Sequence, residues 1–405
     1  MSIEDLTSGV RDVSMNDEPE LPECLLFKPQ KDTFDNVPRY LFRAVFPFSK
    51  GQTNERWVRS EAACQNNPSS LKDIFSSFYD GEQQDVAYTL NQHLRWWEKH
   101  KANDNFVSWT SSLLFALQYI HYRHIKDRCS LSDVKLYVVD TEQFERGAFI
   151  RDKDIMEPFL GLDDPGFRYN LEKMWRLRNK PTWYFGEYLS QGSMKIAGKC
   201  QVVSAEAVLG ENRLGHVQPH FQQMPKNPDW AREVDWLRKS IWGNPPLSPL
   251  SSEEVHDAKM VVEQLTDQFD HGWKLPMAIY FWALTGETLC DAHQPFFDIF
   301  ESIYRLEKKN GRPSPFKVIA PDTMPELKFV KDVADNFYGR AEARYAIKAI
   351  IQVKKKIRKL DAKNLVVHGS SVPKLNENGK LVLARIDEIQ TSLDAMRKEL
   401  ASYAG

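Results

Sequence analysis

The segment Asn105–Tyr122, NFVSWTSSLLFALQYIHY, decides most of what the sequence predicts about the fold. A short β-type run, Phe106 and Val107, ends in the polar cluster SWTSS at 108–112, and an unbroken apolar helix follows at once. Hydroxyl groups at such a corner either cap the helix or hold a catalytic group in a cleft where the sheet ends. The role of this corner therefore determines what the protein does.

Composition indicates a folded protein. The chain has 405 residues, of which 42% are hydrophobic and 12% aromatic, enough for a buried core and for two or three domains of ordinary size. The net charge of −2 gives no general electrostatic reason to expect binding to nucleic acid or to a membrane surface.

The cysteines and the apolar runs indicate the cellular compartment of the protein. The five cysteines are scattered without a C-x-x-C pair, which argues against a disulfide framework or a zinc ribbon. The N-terminal stretch lacks the apolar core of a secretory signal. The best apolar run, Met277–Leu284, is shorter than the roughly 20 residues that span a bilayer. We expect an intracellular, cytoplasmic protein, with a nuclear location left open.

The character of the sequence changes along the chain and predicts five parts. They are a mobile N-terminal arm at 1–36, an α+β domain at 37–222, a helical region at 226–311, a linker at 312–326 and a helical hairpin at 327–405. The predicted fold class is therefore α+β, followed by an all-helical C-terminal region.

Within the α+β part, β-type runs and helices do not alternate strictly. The predicted strands are RYLFRAV (39–45), VKLYVVDT (134–141), EYLSQGSMKI (187–196) and KCQVVSAEAV (199–208), the last ending in a polar turn. DVAYTLNQHLRWWEKH (85–100) carries a helical apolar stripe. Helices do not separate every strand pair, so a mixed sheet is favoured over a doubly wound parallel one.

The second half reads as helical. Segment 253–269 follows the candidate caps Ser251 and Ser252, segment 275–286 is apolar and ends at Gly286, and 298–311 is amphipathic. Apolar residues recur at steps of three and four in 340–360 and 381–403, with a polar turn between them. This pattern predicts either a coiled coil that associates with a second copy or a helix pair closed on itself; the pair is the simpler interpretation. The run Lys354-Lys355-Lys356 is interpreted as a solvated helix face.

Several known chemistries lack their sequence patterns. There is no phosphate-binding G-x-x-x-x-G-K-[ST] loop, no G-x-G-x-x-G after a strand, no H-E-x-x-H and no G-x-S-x-G elbow. His121 and His124 are spaced for a shared metal, but no carboxylate or thiol completes the set, so no metal site is predicted.

Three short segments remain as candidates for chemistry. Arg43 lies late in the first apolar strand, the hydroxyl cluster follows Val107, and Glu187 begins a strand just after the aromatic run WYF at 183–185. A lone carboxylate buried beside aromatic rings is costly unless hydrogen bonds or a cation compensate it. A serine hydroxyl and an arginine are natural compensators.

These segments resemble the R-S-E pattern of toxin-type mono-ADP-ribosyltransferases: an arginine on the first strand, an aromatic–aliphatic–Ser–Thr–Ser element before a helix, and a glutamate on a later strand. More broadly, 38–210 resembles a domain of unknown function common in fungal proteins. The resemblance implies an ADP-ribosyltransferase-like mixed split sheet, whose strands flank a cleft that binds NAD⁺.

The resemblance also implies residue roles. Glu187 and Ser108 are the catalytic candidates: Glu187 would stabilise positive charge as the nicotinamide bond breaks, and Ser108 would orient it. Arg43 would bind the NAD⁺ phosphate or ribose. The remaining NAD⁺-binding candidates are Thr110 and Ser111, which would shape the strand end, and Trp183 or Tyr184, which would stack on the nicotinamide.

The sequence departs from that pattern in three places. Trp109 interrupts the Ser-Thr-Ser element, so the equivalent hydroxyl is left open between its neighbours. Phe185 replaces the Glu or Gln of arginine-specific enzymes, which disfavours an arginine acceptor and leaves hydrolysis or another acceptor open. The long separation of Ser108 and Glu187 requires an insertion, placed at 142–180.

Purely structural roles are the alternatives. Arg43 pairs with Asp140 or Glu187 for structure alone, Thr110 or Ser111 caps the next helix, and Glu187 is a solvated strand-start residue. His93 and the pair Trp96–Trp97 are interpreted as helix packing.

Two functions from different classes follow. The first is an NAD-dependent ADP-ribosyltransferase or NAD glycohydrolase that cleaves the nicotinamide glycosidic bond. The second is a catalytically inactive module of the same fold that acts through protein contacts, with the C-terminal helices as its interface. The expected partners are NAD and a protein acceptor or partner.

Overall fold

A computed structural model describes residues 24–76, 79–96, 104–164, 166–223, 229–243, 246, 249–288, 300–301, 303–305, 324–367, 384–385, 387–388 and 391. Most of the predicted N-terminal arm, most of the helix at 298–311, most of the linker at 312–326, the turn at 368–380 and most of the helix at 381–403 lie outside the described residues.

The described chain is a mixed α+β protein whose strands form one curled sheet. The strands are β1 (Cys24–Leu25), β2 (Tyr40–Val45), β3 (Gln52–Thr53), β4 (Trp57–Arg59), β5 (Phe106–Thr110), β6 (Lys135–Asp140), β7 (Ile150–Arg151), β8 (Glu187–Lys195) and β9 (Cys200–Ser204). Their order is β3-β4-β8-β5-β2-β6-β9, and β1 and β7 also pair with β8. The four predicted strands are thus confirmed as β2, β6, β8 and β9.

The strand β8 is the centre of the sheet. It pairs antiparallel with β1, β4, β5 and β7. Gly192 makes this crowding possible, because its φ is +62° and a Cβ there would stand 2.6 Å from the main-chain oxygen of Ser70. Only glycine adopts this conformation without strain at so close an approach.

Strand β5 is longer than the sequence predicted. The polar cluster was expected to follow the strand end at Val107, but Ser108, Trp109 and Thr110 continue the strand and pair with Leu189, Tyr188 and Glu187 of β8. Pairing with a neighbouring strand overrides the weak local preference of these residues. The hydroxyls of Ser108 and Thr110 therefore project from within the sheet.

The helices are α1 (Glu61–Cys64), α2 (Asp80–Leu94), α3 (Leu113–Asp127), α4 (Asp152–Met156), α5 (Leu171–Arg178), α6 (Ala205–Leu209), α7 (Arg213–Val217), α8 (Trp230–Trp242), α9 (Ser252–Thr266), α10 (His271–Ala283) and α11 (Pro325–Val367). The predicted helices at 85–100, 253–269, 275–286 and 340–360 correspond to α2, α9, α10 and α11. The polar turn expected at the end of the segment 199–208 is instead α6.

Helix starts follow the chemistry of their capping residues. Ser112 caps α3 by accepting a hydrogen bond from the Phe115 amide, so the alternative in which Thr110 or Ser111 is the cap was wrong. Ser251 caps α9, and the Glu254 carboxylate accepts a bond from the Ser251 amide in return. This reciprocal pair confirms the predicted start.

The chain divides into two compact units: unit 1 comprises 1–111 and 137–202, and unit 2 comprises 112–136 and 203–405. In unit 1, α2, α4 and α5 and the strands β5, β7 and β8 contribute to one apolar core, which includes Leu90, Phe106, Ile150, Met174 and Leu189. In unit 2, α10 packs on α9 and α11, and the apolar segment 275–284 is buried as predicted.

Within the described residues, no helix combines the length and the hydropathy that crossing a membrane requires.

Candidate functional site

The register of β5 and β8 places a serine beside a glutamate. Thr110 lies opposite Glu187 and Ser108 lies opposite Leu189, so Ser108 and Glu187 are diagonal neighbours on one face of the sheet. The Ser108 hydroxyl donates a hydrogen bond to Glu187 Oε1 at 2.8 Å. Glu187, the first residue of β8, is only 6% exposed. The alternative of a solvated strand-start residue was therefore wrong.

Arg43 reaches the same serine from β2. Its Nη1 donates to the main-chain oxygen of Ser108 at 2.8 Å, and its Nε donates to Thr53 Oγ1 at 3.3 Å. Asp140, one of the two structural partners considered for Arg43, instead pairs with Arg39 at 2.9 Å. Arg43 and Glu187 thus meet at Ser108, one at its carbonyl and the other at its hydroxyl.

The cation that compensates Glu187 is Arg178, at the C-terminal end of α5. Its Nη2 donates to Glu187 Oε2 at 2.6 Å, and both side chains are buried. The same guanidinium donates to the Trp183 carbonyl at 3.2 Å and lies over the Phe185 ring. An arginine was the expected compensator, but it comes from the segment 142–180 that was interpreted as an insertion.

Asp152 adds a second carboxylate to this cluster. It is fully buried at the start of α4, and its Oδ2 lies 3.4 Å from Arg178 Nε, a charge contact without hydrogen-bond geometry. Burial raises the pKa of Asp152 from its ordinary 3.8 to about 7, because desolvation outweighs the opposing effect of Arg178 and Glu187 adds repulsion.

On its other side, the Ser108 hydroxyl meets His93, near the C-terminal end of α2. His93 Nε2 lies 2.8 Å from Ser108 Oγ, and His93 Nδ1 lies 2.8 Å from Asp104 Oδ2. The Phe106 amide donates to Asp104 Oδ1 at 3.1 Å, and the Phe106 ring packs edge-on against the imidazole. Helix packing alone, the role expected for His93, was thus an incomplete interpretation.

The other predicted site residues surround these contacts. Thr110 Oγ1 donates to the Phe185 carbonyl at 2.7 Å, and the Ser111 amide donates to the Gly186 carbonyl at 2.8 Å, so both tie the end of β5 to the start of β8. Trp183 is half-buried. Tyr184 is buried, with Lys153 Nζ 5.3 Å from the centre of its ring.

Trp109, which interrupts the Ser-Thr-Ser element, points to the opposite face from its neighbours. Its indole Nε1 donates to Ser190 Oγ at 3.0 Å, and the ring packs edge-on against Phe149. Strand alternation leaves Ser108 and Thr110 together on the face that carries Glu187.

Sequence reasoning missed His93, Asp104, Asp152 and Arg178 as members of the cluster. His93 had a usable signal: it lies three residues after Leu90, on the buried stripe of α2, where a polar side chain needs a partner. Arg178 lies nine residues before Glu187 and Asp152 lies in the short helix α4, and their convergence depends on the path of α4 and α5.

Unit 1 also contains a cavity of about 420 Å³, lined by Ile74, Phe75 and Phe159 with Asp154 and Glu157. None of the residues described as its lining belongs to the cluster around Ser108, so the two are separate features.

Comparison with known proteins supports one part of the sequence prediction, the presence of a domain of unknown function. Residues 36–189 match a family model described as a domain of unknown function (DUF7587). The matched region begins just before β2, ends at Leu189 of β8, and contains all the members of the cluster. No curated protein and no solved structure gives a significant match to the chain.

Proposed function

We propose that unit 1 cleaves the nicotinamide glycosidic bond of NAD⁺, as a glycohydrolase or an ADP-ribosyltransferase. We propose with it that β2, β5 and β8 correspond to the split sheet of the toxin-type ADP-ribosyltransferases. The observation that carries the proposal is the meeting of Arg43 and Glu187 at Ser108, with a Ser108 Oγ–Glu187 Oε1 distance of 2.8 Å.

The chemistry needs a fixed anion. When the bond between ribose C1′ and the nicotinamide nitrogen breaks, its electron pair leaves with neutral nicotinamide and the ribose gains oxocarbenium character. A held carboxylate stabilises that charge more than it stabilises the ground state. Water, or the nucleophile of an acceptor, then adds to C1′ and loses a proton. Phe185 two positions before Glu187 favours water or an acceptor other than arginine.

The residues present suit a dinucleotide substrate. Arg43 is a half-buried guanidinium of the kind that binds phosphate or ribose oxygens through charge-assisted hydrogen bonds. Ser108 holds one oxygen of Glu187, which limits the rotation of the carboxylate. Trp183, half-buried beside the start of β8, offers an aromatic face for the nicotinamide ring.

Nicotinamide release by the full chain tests the proposal directly. The chain is incubated with NAD⁺ and free nicotinamide is measured by chromatography. We expect release by the wild type, a loss of about 10²- to 10³-fold in Glu187→Gln, and no change in Glu206→Gln, an exposed glutamate of α6. Release that is equal in all three proteins would contradict the proposal.

A second candidate function rests on the ion pair that covers Glu187. Arg178 holds Glu187 Oε2 at 2.6 Å, and the carboxylate is almost fully buried, which suits a fixed structural element. The alternative is therefore a catalytically inactive module that acts through protein contacts. No nicotinamide release, together with no rise in melting temperature at millimolar NAD⁺, would favour this module, because a ligand that binds the folded state raises its stability.

A further inference from the structure

The Ser108 hydroxyl has two hydrogen-bond partners at equal distance. Glu187 Oε1 and His93 Nε2 each lie 2.8 Å from Ser108 Oγ. A hydroxyl carries one proton, so it donates to one partner and accepts from the other. The protonation of its neighbours therefore decides which way the hydroxyl points.

The number of protons available decides which atom donates in the hydrogen bond between His93 Nε2 and Ser108 Oγ. Asp104 Oδ1 accepts from the Phe106 amide and Glu187 Oε2 accepts from Arg178, and an ionised carboxylate, which only accepts, fits both contacts. An ionised Asp104 requires a proton on His93 Nδ1, and an ionised Glu187 requires the proton of the hydroxyl. Ser108 Oγ must then accept from a proton on His93 Nε2. Both contacts of the hydroxyl are satisfied when His93 is an imidazolium.

The surroundings of His93 include groups that favour that charge. It lies in the last turn of α2, where the carbonyl end of the helix attracts a cation, and Asp104 supplies a full negative charge. Four other charged groups lie near the hydroxyl. Glu187 is paired with Arg178, and Arg178 also contacts Asp152. Arg43 donates to the Ser108 carbonyl.

Asp104, His93 and Ser108 also have the spacing of a hydrolytic triad, but the position of Glu187 argues against a serine nucleophile. A tetrahedral intermediate on Ser108 Oγ would place its negative oxygen beside a carboxylate that already lies 2.8 Å from that atom. The hydroxyl is therefore placed to hold Glu187 rather than to attack a carbonyl.

We propose that His93, supported by Asp104, is a positioning residue that donates a proton to the Ser108 hydroxyl and thereby directs that hydroxyl onto Glu187. Its catalytic consequence rests on the proposed NAD⁺ cleavage. When His93 loses the Nε2 proton at higher pH, the hydroxyl can serve only one of its two partners, and Glu187 loses its fixed orientation in part of the molecules. The Ser108-dependent part of the activity then falls on the alkaline side.

The proton on His93 can be observed without any activity. Nitrogen-15 NMR of the full chain labelled at histidine, with the signal assigned by its absence in His93→Gln, distinguishes an imidazolium from a neutral ring. We expect both nitrogens to be protonated at pH 6 and the Nε2 resonance to move in Ser108→Ala. A neutral ring at pH 6, or an Nε2 resonance unchanged in Ser108→Ala, would overturn the proposal.

Two variants then test the catalytic role. His93→Gln keeps an N–H donor near the Nε2 position but has no titration, whereas His93→Leu removes the donor. We expect His93→Leu to lower kcat about tenfold or more with little change in KM, and His93→Gln to retain most of kcat with a flattened alkaline limb. His256→Gln, an exposed histidine of α9, should match the wild type in both respects.

The outcomes separate the two proposals. An active wild type whose alkaline limb is unchanged in His93→Gln would refute the role of His93 and leave the NAD⁺ proposal standing. No nicotinamide release by the wild type would refute NAD⁺ cleavage, while the NMR result would still decide the proton position. Labelling of Ser108 by a fluorophosphonate reagent, lost in His93→Gln, would instead indicate a serine nucleophile and overturn the positioning role. Melting temperatures of all variants identify any that fail to fold.

Discussion

Each unit of the protein buries a glutamate against one serine and one arginine, and the two clusters differ in how their hydrogen bonds are shared. In unit 2, Glu326 accepts from the Ser112 hydroxyl at 2.7 Å, and Arg238 bonds to both of its oxygens at 2.6 to 3.1 Å. The Ser112 hydroxyl also accepts a hydrogen bond from the Phe115 amide, so it has one donor and one acceptor as partners. This arrangement suits a fixed structural joint.

In the unit 1 cluster, the arginine and the serine each contact two different side chains. Arg178 contacts Glu187 through one nitrogen and lies near Asp152 with another, while the Ser108 hydroxyl lies between Glu187 and His93. Burial also raises the pKa of Asp152, the second carboxylate of this cluster, to about 7. The same three residue types therefore have separate hydrogen-bond partners in one unit and shared partners in the other, depending on what surrounds them.

The largest expected effect is on the static cluster. Arg238→Met leaves the Glu326 carboxylate buried without its cation, and we expect a loss of about 3–5 kcal/mol in the free energy of unfolding, measured with urea. Arg232→Met, which removes an exposed pair in the same helix, should cost less than about 1 kcal/mol. A loss for Arg238→Met no larger than that of its control would remove the distinction between the clusters.

The next effect concerns pH and the buried Asp152. Its pKa is about 7 in the folded protein against an ordinary 3.8, so the folded state binds a proton that the unfolded state releases between these values. This contribution to stability is complete below pH 3.8 and is lost as pH rises to about 7, by about 1.4 kcal/mol per pH unit.

Asp152→Asn removes that titration. Relative to the wild type, we therefore expect the variant to gain stability as pH rises from about 4 to 7 and to show a constant difference above 7. Urea unfolding across this range measures it, with the exposed Asp85→Asn as the control. A difference between Asp152→Asn and wild type that does not change with pH would show that Asp152 does not exchange a proton there.

The smallest effects distinguish the two serines. Ser112→Ala removes the cap of α3 and a hydrogen bond to Glu326, for an expected loss of about 1–2 kcal/mol in stability. Ser108→Ala leaves Glu187 paired with Arg178, so its stability loss should be nearer to about 1 kcal/mol, while nicotinamide release falls. Equal stability losses in the two variants, with no change in nicotinamide release, would indicate that both serines have only a structural role.

The sequence predicted the elements of the fold better than it predicted the cluster. Runs of β-type and apolar residues identified β2, β6 and β8, and the start of β8 at Glu187 was correct. The end of β5 was wrong because Ser108 and Thr110 have little strand preference of their own and are held by pairing with β8.

The sequence predicted only some of the partners of Glu187. A buried carboxylate predicts that a hydroxyl and a cation lie nearby, and the Ser108 hydroxyl does lie there. Which cation approaches depends on how α5 returns to the sheet, and no local pattern around Arg178 encodes that path. His93 and Asp104 are likewise joined through the position of α2 beside β5, which only the tertiary structure determines.

The crowding of β8 has a consequence for how this domain is made. Strands β1, β4, β5 and β7 all precede β8 in the chain, and β1 and β4 pair with residues from Gln191 to Lys195. During synthesis these strands have no common partner until that stretch leaves the ribosome. A fragment that stops at Leu189, the end of the family match, ends before those pairings and should fail to fold, whereas one that continues through β9 supplies the whole strand.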